Sequence, residues 1–142
     1  MQLLRAPSLF VTICSLAIGA LAAPSPVPAT NATLVSQVTH VGRGTFFDPD
    51  GGIGACGFVE QNTDHIVAIG SQRFANGGNC NQWIQISANG KTAFGLTRDS
   101  CPGCGVNDLD LTPALFQKFA PLDVGVITVT WNFLPFGFQP PS

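Results

Sequence analysis

The acidic side chains of this 142-residue chain are few, and most of them lie close to glycines or cysteines. Glycoside hydrolysis requires a pair of carboxyl groups, one protonated and one ionised. Aspartate is also a common turn and helix-cap residue, so the same pattern is explained equally by backbone geometry. The five acids of interest are Asp48, Asp50, Asp99, Asp108 and Asp110.

The cysteines indicate disulfides rather than a metal or redox centre. One of the five, Cys14, falls in an apolar N-terminal stretch, and an even number remains in the rest of the chain. A structural zinc site usually has two close cysteine pairs, and here only one pair is close. A redox Cys-x-x-Cys is expected within a βαβ pattern, which does not surround this one. We therefore expect two disulfides and neither metal nor cofactor. The four cysteines are Cys56, Cys80, Cys101 and Cys104.

Composition excludes one function class and favours one architecture. Six Lys and Arg stand against eight Asp and Glu, so no basic surface is available for nucleic acid. The chain length allows a single domain. The 16 glycines and 11 prolines favour a turn-rich β protein.

The N-terminal region predicts secretion. Arg5 precedes an apolar run, Leu9 to Leu21, and the small residues Ala20 and Ala22 are typical of a cleavage site. The run is shorter than the ~20 residues that a membrane span needs. We predict a signal peptide over 1–22, a Pro/Ser/Thr-rich linker over 23–37 with a glycosylation sequon at Asn31, and one domain over 38–142. The expected location is extracellular, without membrane attachment.

Short strands with period-two patterning follow the linker. Asn89-Gly90 predicts a hairpin turn, and Thr112-Pro113 predicts a capped short helix through Phe119. Six strands and one or two short helices indicate an all-β fold, a small closed barrel. The predicted strands are Val41–Phe47, Gly57–Gln61, His65–Gly70, Trp83–Ser87, Lys91–Thr97 and Val124–Phe133.

Aromatic residues divide between core and surface. Trp83, with Phe46 and Phe58, falls on the face opposite the core or near loops, and an exposed Trp83 ring would stack on a sugar. The alternative for Trp83 is packing under the linker. His40 and His65 have no ligand spacing and are interpreted as ordinary polar residues. The aromatic residues expected in the core are Phe47, Phe94, Phe116, Phe119 and Trp131.

Five motifs in order resemble the double-psi β-barrel family. The chain is most similar to its single-domain, expansin-like (loosenin-type) fungal secreted branch, with barwin-like and rare-lipoprotein-A-like relatives. The resemblance implies a six-stranded double-psi β-barrel. Its motifs are Gly42-Arg-Gly-Thr45-Phe-Phe47, Gly54-Ala-Cys56-Gly57, Asp99-Ser-Cys-Pro-Gly-Cys104, Asp108-Leu-Asp110-Leu-Thr112 and Pro113-Ala-Leu-Phe116.

The resemblance also implies a site. In expansin-like proteins a threonine and two aspartates line a polar groove, and these fall on Thr45, Asp99 and Asp110. Where the family often has a tyrosine, two residues after the first aspartate, this chain has Cys101. The family pattern further implies that Cys56 pairs with Cys80, which leaves Cys101 to pair with Cys104.

The function that the resemblance implies is binding and loosening of cell-wall polysaccharide (cellulose, chitin or glucan) without hydrolysis, by a monomer. One alternative is a glycan-cleaving enzyme in which Asp110 is the acid and Asp48 the base, although the sequence around Asp48 is unlike that of barwin-like endoglucanases. The other alternative is a protein-binding module, such as a protease inhibitor or secreted effector, on the same barrel.

Overall fold

The computed structural model describes residues 37–141, which form a closed six-stranded barrel in the order β1-β5-β2-β4-β3-β6. The pairs β1–β5 and β2–β4 are parallel and the others antiparallel. The predicted fold class is confirmed. The predicted leader, the linker before Gln37 and Asn31 lie outside the described residues. The strands are β1 His40–Phe46, β2 Ile66–Gly70, β3 Trp83–Ala88, β4 Lys91–Cys101, β5 Leu109–Leu111 and β6 Ile127–Phe133.

One predicted strand is wrong, and a shorter one takes its place in the barrel. The segment predicted as Gly57–Gln61 is a loop with a single bridge between Ile53 and Val59. Its chain turns sharply at Gly57 (φ +84°), where the Gly57 N–H bonds to the Gly54 carbonyl at 2.8 Å. The sixth strand is instead β5, which is only three residues long.

The β3–β4 hairpin is confirmed. Asn89 and Gly90 both have positive φ, 51° and 73°, which matches the right-handed twist of the flanking strands. β4 extends to Cys101 and therefore runs past its predicted end at Thr97. β6 starts later than predicted, because Leu122–Val124 forms a 3-10 turn.

Two four-residue helices, α1 Ser71–Phe74 and α2 Pro113–Phe116, follow β2 and β5 respectively. Thr112 is the N-cap residue of α2 and Pro113 its first residue, as predicted, but the Thr112 side chain makes no capping hydrogen bond. The Thr112 hydroxyl donates to the carbonyl of Asp64 and accepts the N–H of Ile66 at 3.3 Å, so it joins β5 to the start of β2. None of the helices within residues 37–141 is long and apolar enough to cross a membrane.

The core fills the barrel, with Phe116, Phe119 and Trp131 buried in it as predicted. The predicted directions of Phe46 and Phe47 are wrong, because Phe47 was expected to face the core and it is Phe46 that does so. Phe46 shares the inward face of β1 with the buried Gly44, and its ring centre lies 5.2 Å from that of Phe116. Phe47 is only partly buried. Phe94 is also only partly buried, on the outer face of β4, where it contacts Phe138.

Candidate functional site

Four residues from four neighbouring strands form a row on the outer surface of the barrel, here called the carboxylate row. Thr45 of β1 pairs with Asp110 of β5, Asp110 pairs with Ala68 of β2, and Ala68 pairs with Asp99 of β4. Asp110 points outward because Leu109 and Leu111 on either side are fully buried in the core. The small Ala68 separates the two carboxylates, whose strands are about 10 Å apart.

A β-bulge explains why Asp99 belongs to this row. Thr97 pairs with Val67 and Asp99 pairs with Ala68, so Arg98 is an extra residue between them. Thr97 is fully buried in the barrel wall. Without the bulge, strict alternation would turn Asp99 to the same side as Thr97. The bulge re-aims its carboxylate outward.

Asp110 is a partly buried carboxyl with one hydrogen-bond donor among residues 37–141. The Thr45 hydroxyl donates to its Oδ1 at 2.7 Å. Burial raises the pKa of Asp110, the nearby negative charge of Asp99 raises it further, and the Thr45 hydrogen bond acts in the opposite direction. The positive end of the α2 dipole would lower the pKa of Asp110, but its effect is small because that helix has a single turn.

Asp99 serves both the row and a neighbouring loop. Its Oδ1 accepts the N–H of Ala55 at 2.7 Å and that of Ser100 at 2.8 Å. The first of these bonds fastens the segment 51–60, here called the cysteine loop, to β4. The position of the Asp99 carboxylate therefore depends on where the cysteine loop sits.

Both predicted disulfides are confirmed: Cys56 pairs with Cys80 and Cys101 with Cys104. The first holds the cysteine loop against the turn after α1. The sulfurs of the second lie within 4.8 Å of a carboxylate oxygen of Asp110. Because these sulfurs are bonded to each other, the cluster is a disulfide wall beside Asp110 at the place where the resemblance leads us to expect a tyrosine.

The remaining aspartates lie outside the row. Asp108 accepts the backbone N–H of Arg43 at 2.8 Å and its guanidinium at 2.9 Å, and Gly105 donates a third N–H at 3.1 Å. These bonds lower the pKa of Asp108. Asp48 and Asp50 are exposed in the turn after β1, and within residues 37–141 neither side chain is hydrogen-bonded to the carboxylate row.

Trp83 is partly buried and lines a surface pocket, here called the aromatic concavity, with a volume of about 390 Å³. Phe58 and Arg98 line it too, and the Arg98 guanidinium lies 3.7 Å from the centre of the Phe58 ring. Arg98 is the neighbour of Asp99, so this aromatic concavity adjoins the carboxylate row. Burial and the positive charge of Lys118 lower the pKa of His65, which lines the same concavity.

Sequence reasoning missed Glu60. Its side chain is 1% exposed, and within residues 37–141 its Oε1 has no hydrogen-bond partner. Burial and the charge of Asp99 raise the pKa of Glu60 to about 7, against the opposing effect of Arg98. The only sequence signal was a glutamate directly after Phe58 and Val59, in the segment that was predicted as the strand Gly57–Gln61.

Comparisons with known proteins agree with this fold. The papain inhibitor of Streptomyces mobaraensis is 35% identical over 101 residues, which cover 66% of this chain and 70% of the inhibitor. The solved structure of the Streptomyces papain inhibitor superposes with a TM-score of 0.62 at 34% identity, covering 69% of this chain and 96% of the inhibitor. No family model matches the chain.

Expansins provide the second set of similarities. Expansin-like protein 3 of Dictyostelium discoideum is 36% identical over 86 residues, 52% of this chain but only 25% of that protein. An expansin of Clavibacter michiganensis, solved in complex with cellohexaose, superposes with a TM-score of 0.66 at 21% identity, covering 72% of this chain and 54% of the expansin. The latter likeness supports the fold alone. The sequence matches, the closed barrel and the two disulfides together place this chain in the expansin-like double-psi β-barrel family, to which the Streptomyces papain inhibitor is also related.

Proposed function

We propose that the chain is a secreted, non-enzymatic protein that binds cell-wall polysaccharide along the carboxylate row. The observation that carries the proposal is the register that sets Thr45, Asp110 and Asp99 in one row on the outer surface, with Ala68 between the two aspartates. Hydroxyl and carboxylate oxygens at strand spacing suit a ligand that presents a line of hydroxyl groups. A glycan is proposed as that ligand because an expansin that shares this fold was solved with cellohexaose.

The chemistry of the row favours hydrogen bonding over bond cleavage. Hydrolysis requires a carboxylic acid and a second carboxylate free to act as base or nucleophile. Asp110, with its raised pKa, has the character of an acid. Asp99 uses one oxygen to hold the cysteine loop, and Asp48 is exposed outside the row. A ligand bound by Asp110 would exchange glycan–glycan hydrogen bonds for glycan–protein bonds, which is a route to loosening without hydrolysis.

Adsorption to insoluble cellulose, chitin and β-glucan tests this function. Wild-type protein should bind at least one of them and release no reducing sugar. Asp110→Ala should abolish that binding, whereas Asp123→Ala should bind like wild type, since Asp123 is an exposed aspartate in the 3-10 turn before β6. Steady release of oligosaccharides that Asp110→Asn abolishes would instead establish a hydrolase.

A second candidate, inhibition of a papain-like protease, is favoured by the cysteine loop and the similarity to the papain inhibitor. The loop exposes Ile53 (73%), Phe58 (44%) and Val59 (61%). The Cys56–Cys80 disulfide and the Cys56 N–H bond to the Arg98 carbonyl keep this apolar surface rigid. A preformed apolar loop loses little entropy when it binds a protein.

Residual papain activity at increasing concentrations of this protein tests the second candidate. Ile53→Ser and Val59→Ser should weaken inhibition, whereas Val126→Ser, which alters an exposed valine elsewhere, should not. Full papain activity at all concentrations would eliminate papain as a target. The two candidates depend on different residues, so the outcome of one test leaves the other test informative.

A further inference from the structure

Glu60 is a buried carboxyl in a loop whose neighbouring side chains are exposed. Its side chain is 1% exposed, whereas that of Val59 is 61% exposed. Within residues 37–141 its Oε1 has no hydrogen-bond partner. A polar group buried without a partner is costly and rare in folded proteins, so its presence requires a reason.

The position of the Glu60 carboxyl is set by Gly54. A Cβ atom on Gly54 would lie 2.0 Å from Glu60 Oε1 and 2.9 Å from the Arg98 carbonyl oxygen. The carboxyl therefore occupies space between the cysteine loop and β4 that only a glycine leaves free. The loop backbone at Gly54 therefore packs directly against the Glu60 carboxyl.

The residues after Gly54 connect this contact to the carboxylate row. Ala55 donates its N–H to Asp99 Oδ1 at 2.7 Å, and Cys56 donates its N–H to the Arg98 carbonyl at 3.0 Å. Any movement of Gly54 therefore moves the donor that holds Asp99. Glu60 does not belong to the row, and it is connected to the row by this backbone segment and by the charge of Asp99.

The charges around Glu60 are of both signs. Asp99 and Arg98 face it from β4, and Asp64 faces it from the turn that follows the cysteine loop. Burial and the two aspartates favour the neutral carboxyl, while Arg98 favours the ionised form. The resulting pKa of about 7 places the change of charge near neutrality.

We propose that Glu60 is a positioning residue: its neutral carboxyl holds Gly54 and Ala55 against β4 so that Ala55 holds Asp99, and its ionised form, repelled by Asp99, displaces these two residues while Cys56 stays fixed by its disulfide. The inference rests on the proposed function for its ligand. It adds that polysaccharide binding is regulated by pH, strongest in acid and weaker as Glu60 loses its proton.

The test measures ligand binding and loop position separately on the full chain. Adsorption isotherms on cellulose, chitin and β-glucan should show affinity falling roughly tenfold from about pH 5 to about pH 8. The NMR signal of the Ala55 amide should shift with a midpoint near 7, in the absence of any polysaccharide. Glu60→Gln, which keeps the shape and removes the charge, should abolish both pH dependences and bind in the way that wild type does in acid.

Two further variants complete the design. Asp123→Asn removes an exposed carboxylate and should keep the wild-type pH profile. Glu60→Ala should bind weakly at both pH values, because the carboxyl that packs against Gly54 is then missing; if it does not fold, Glu60→Gln alone decides. The proposal is overturned if the Ala55 amide does not titrate, or if Glu60→Gln retains the wild-type profile. A titrating Ala55 amide without polysaccharide binding would confirm the displacement of Gly54 and Ala55 and contradict only the proposed function.

Discussion

Asp108 and Asp110 lie two residues apart, yet the structure places them in opposite environments. Asp108, in the loop before β5, accepts two backbone N–H groups and the Arg43 guanidinium, and these donors lower its pKa. Asp110, on β5 itself, is partly buried with the Thr45 hydroxyl as its donor, and burial raises its pKa.

The difference separates a structural carboxylate from one that is free for a ligand. The chain itself fills the oxygens of Asp108, which joins the 105–108 loop to β1. Asp110 is held in place by the strand pairing of β5 and needs few bonds of its own. A carboxyl that is fixed by its backbone and left with acceptor capacity is suited to bind sugar hydroxyls.

The largest expected effect is a loss of stability on removing a disulfide, and the two disulfides should differ in this respect as the two aspartates do. Removing Cys56–Cys80, whose residues are 24 apart, should lower the free energy of unfolding by about 3.5 kcal/mol on the loop-entropy model. Removing Cys101–Cys104, with a separation of 3, should cost only about 2 kcal/mol. Urea unfolding of the two Cys→Ser double variants measures both. Equal losses, or the reverse order, would contradict a mainly structural role for the first disulfide.

The next effect concerns Glu60 and stability. Its pKa is raised from 4.5 to about 7, so the folded protein holds this proton more tightly than the unfolded chain. The stabilisation is complete below about pH 4.5 and is lost as pH rises to about 7, a total on the order of 3 kcal/mol. Unfolding free energies across this range should fall for wild type and for Asp123→Asn. They should fall less for Glu60→Gln, in which the raised pKa of Asp110 still contributes, and a fall parallel to that of wild type would remove Glu60 as the source.

Asp108→Ala should cost about 2 kcal/mol of folding free energy, because two backbone N–H groups lose a charged acceptor. Arg43→Ala should cost less, since its side chain is 66% exposed and an exposed ion pair contributes little. The contribution of Asp108 is present above its ordinary pKa and lost as pH falls through its lowered pKa. Thermal melts of both variants check this ranking. A larger loss of stability in Arg43→Ala than in Asp108→Ala would contradict it.

Local sequence signals predicted the elements with strong patterns. The Asn89-Gly90 turn predicted the β3–β4 hairpin, and alternation predicted β6. β5 was not recognised as a strand, because three residues are too few for a period to appear. It exists through its pairing with β1 and β2, which are distant in sequence.

The site was predictable only in its residue types. Thr45, Asp99 and Asp110 came from the resemblance, whereas their order across the barrel depends on the strand order, and the outward direction of Asp99 depends on the bulge at Arg98. No local pattern indicates that bulge. Glu60 was missed for the same reason, since its burial results from packing against β4 and from the space that Gly54 leaves.

The central claim, that Asp110 serves a ligand and Asp108 serves the fold, is tested most directly by measuring both properties on the same two variants. Adsorption isotherms on cellulose, chitin and β-glucan should be combined with urea unfolding for Asp110→Ala and Asp108→Ala. The account predicts that Asp110→Ala loses binding with stability changed by less than ~1 kcal/mol, while Asp108→Ala loses about 2 kcal/mol and still binds. Unfolding of Asp110→Ala, or unchanged binding by it, would contradict the account and make Asp110 a structural residue.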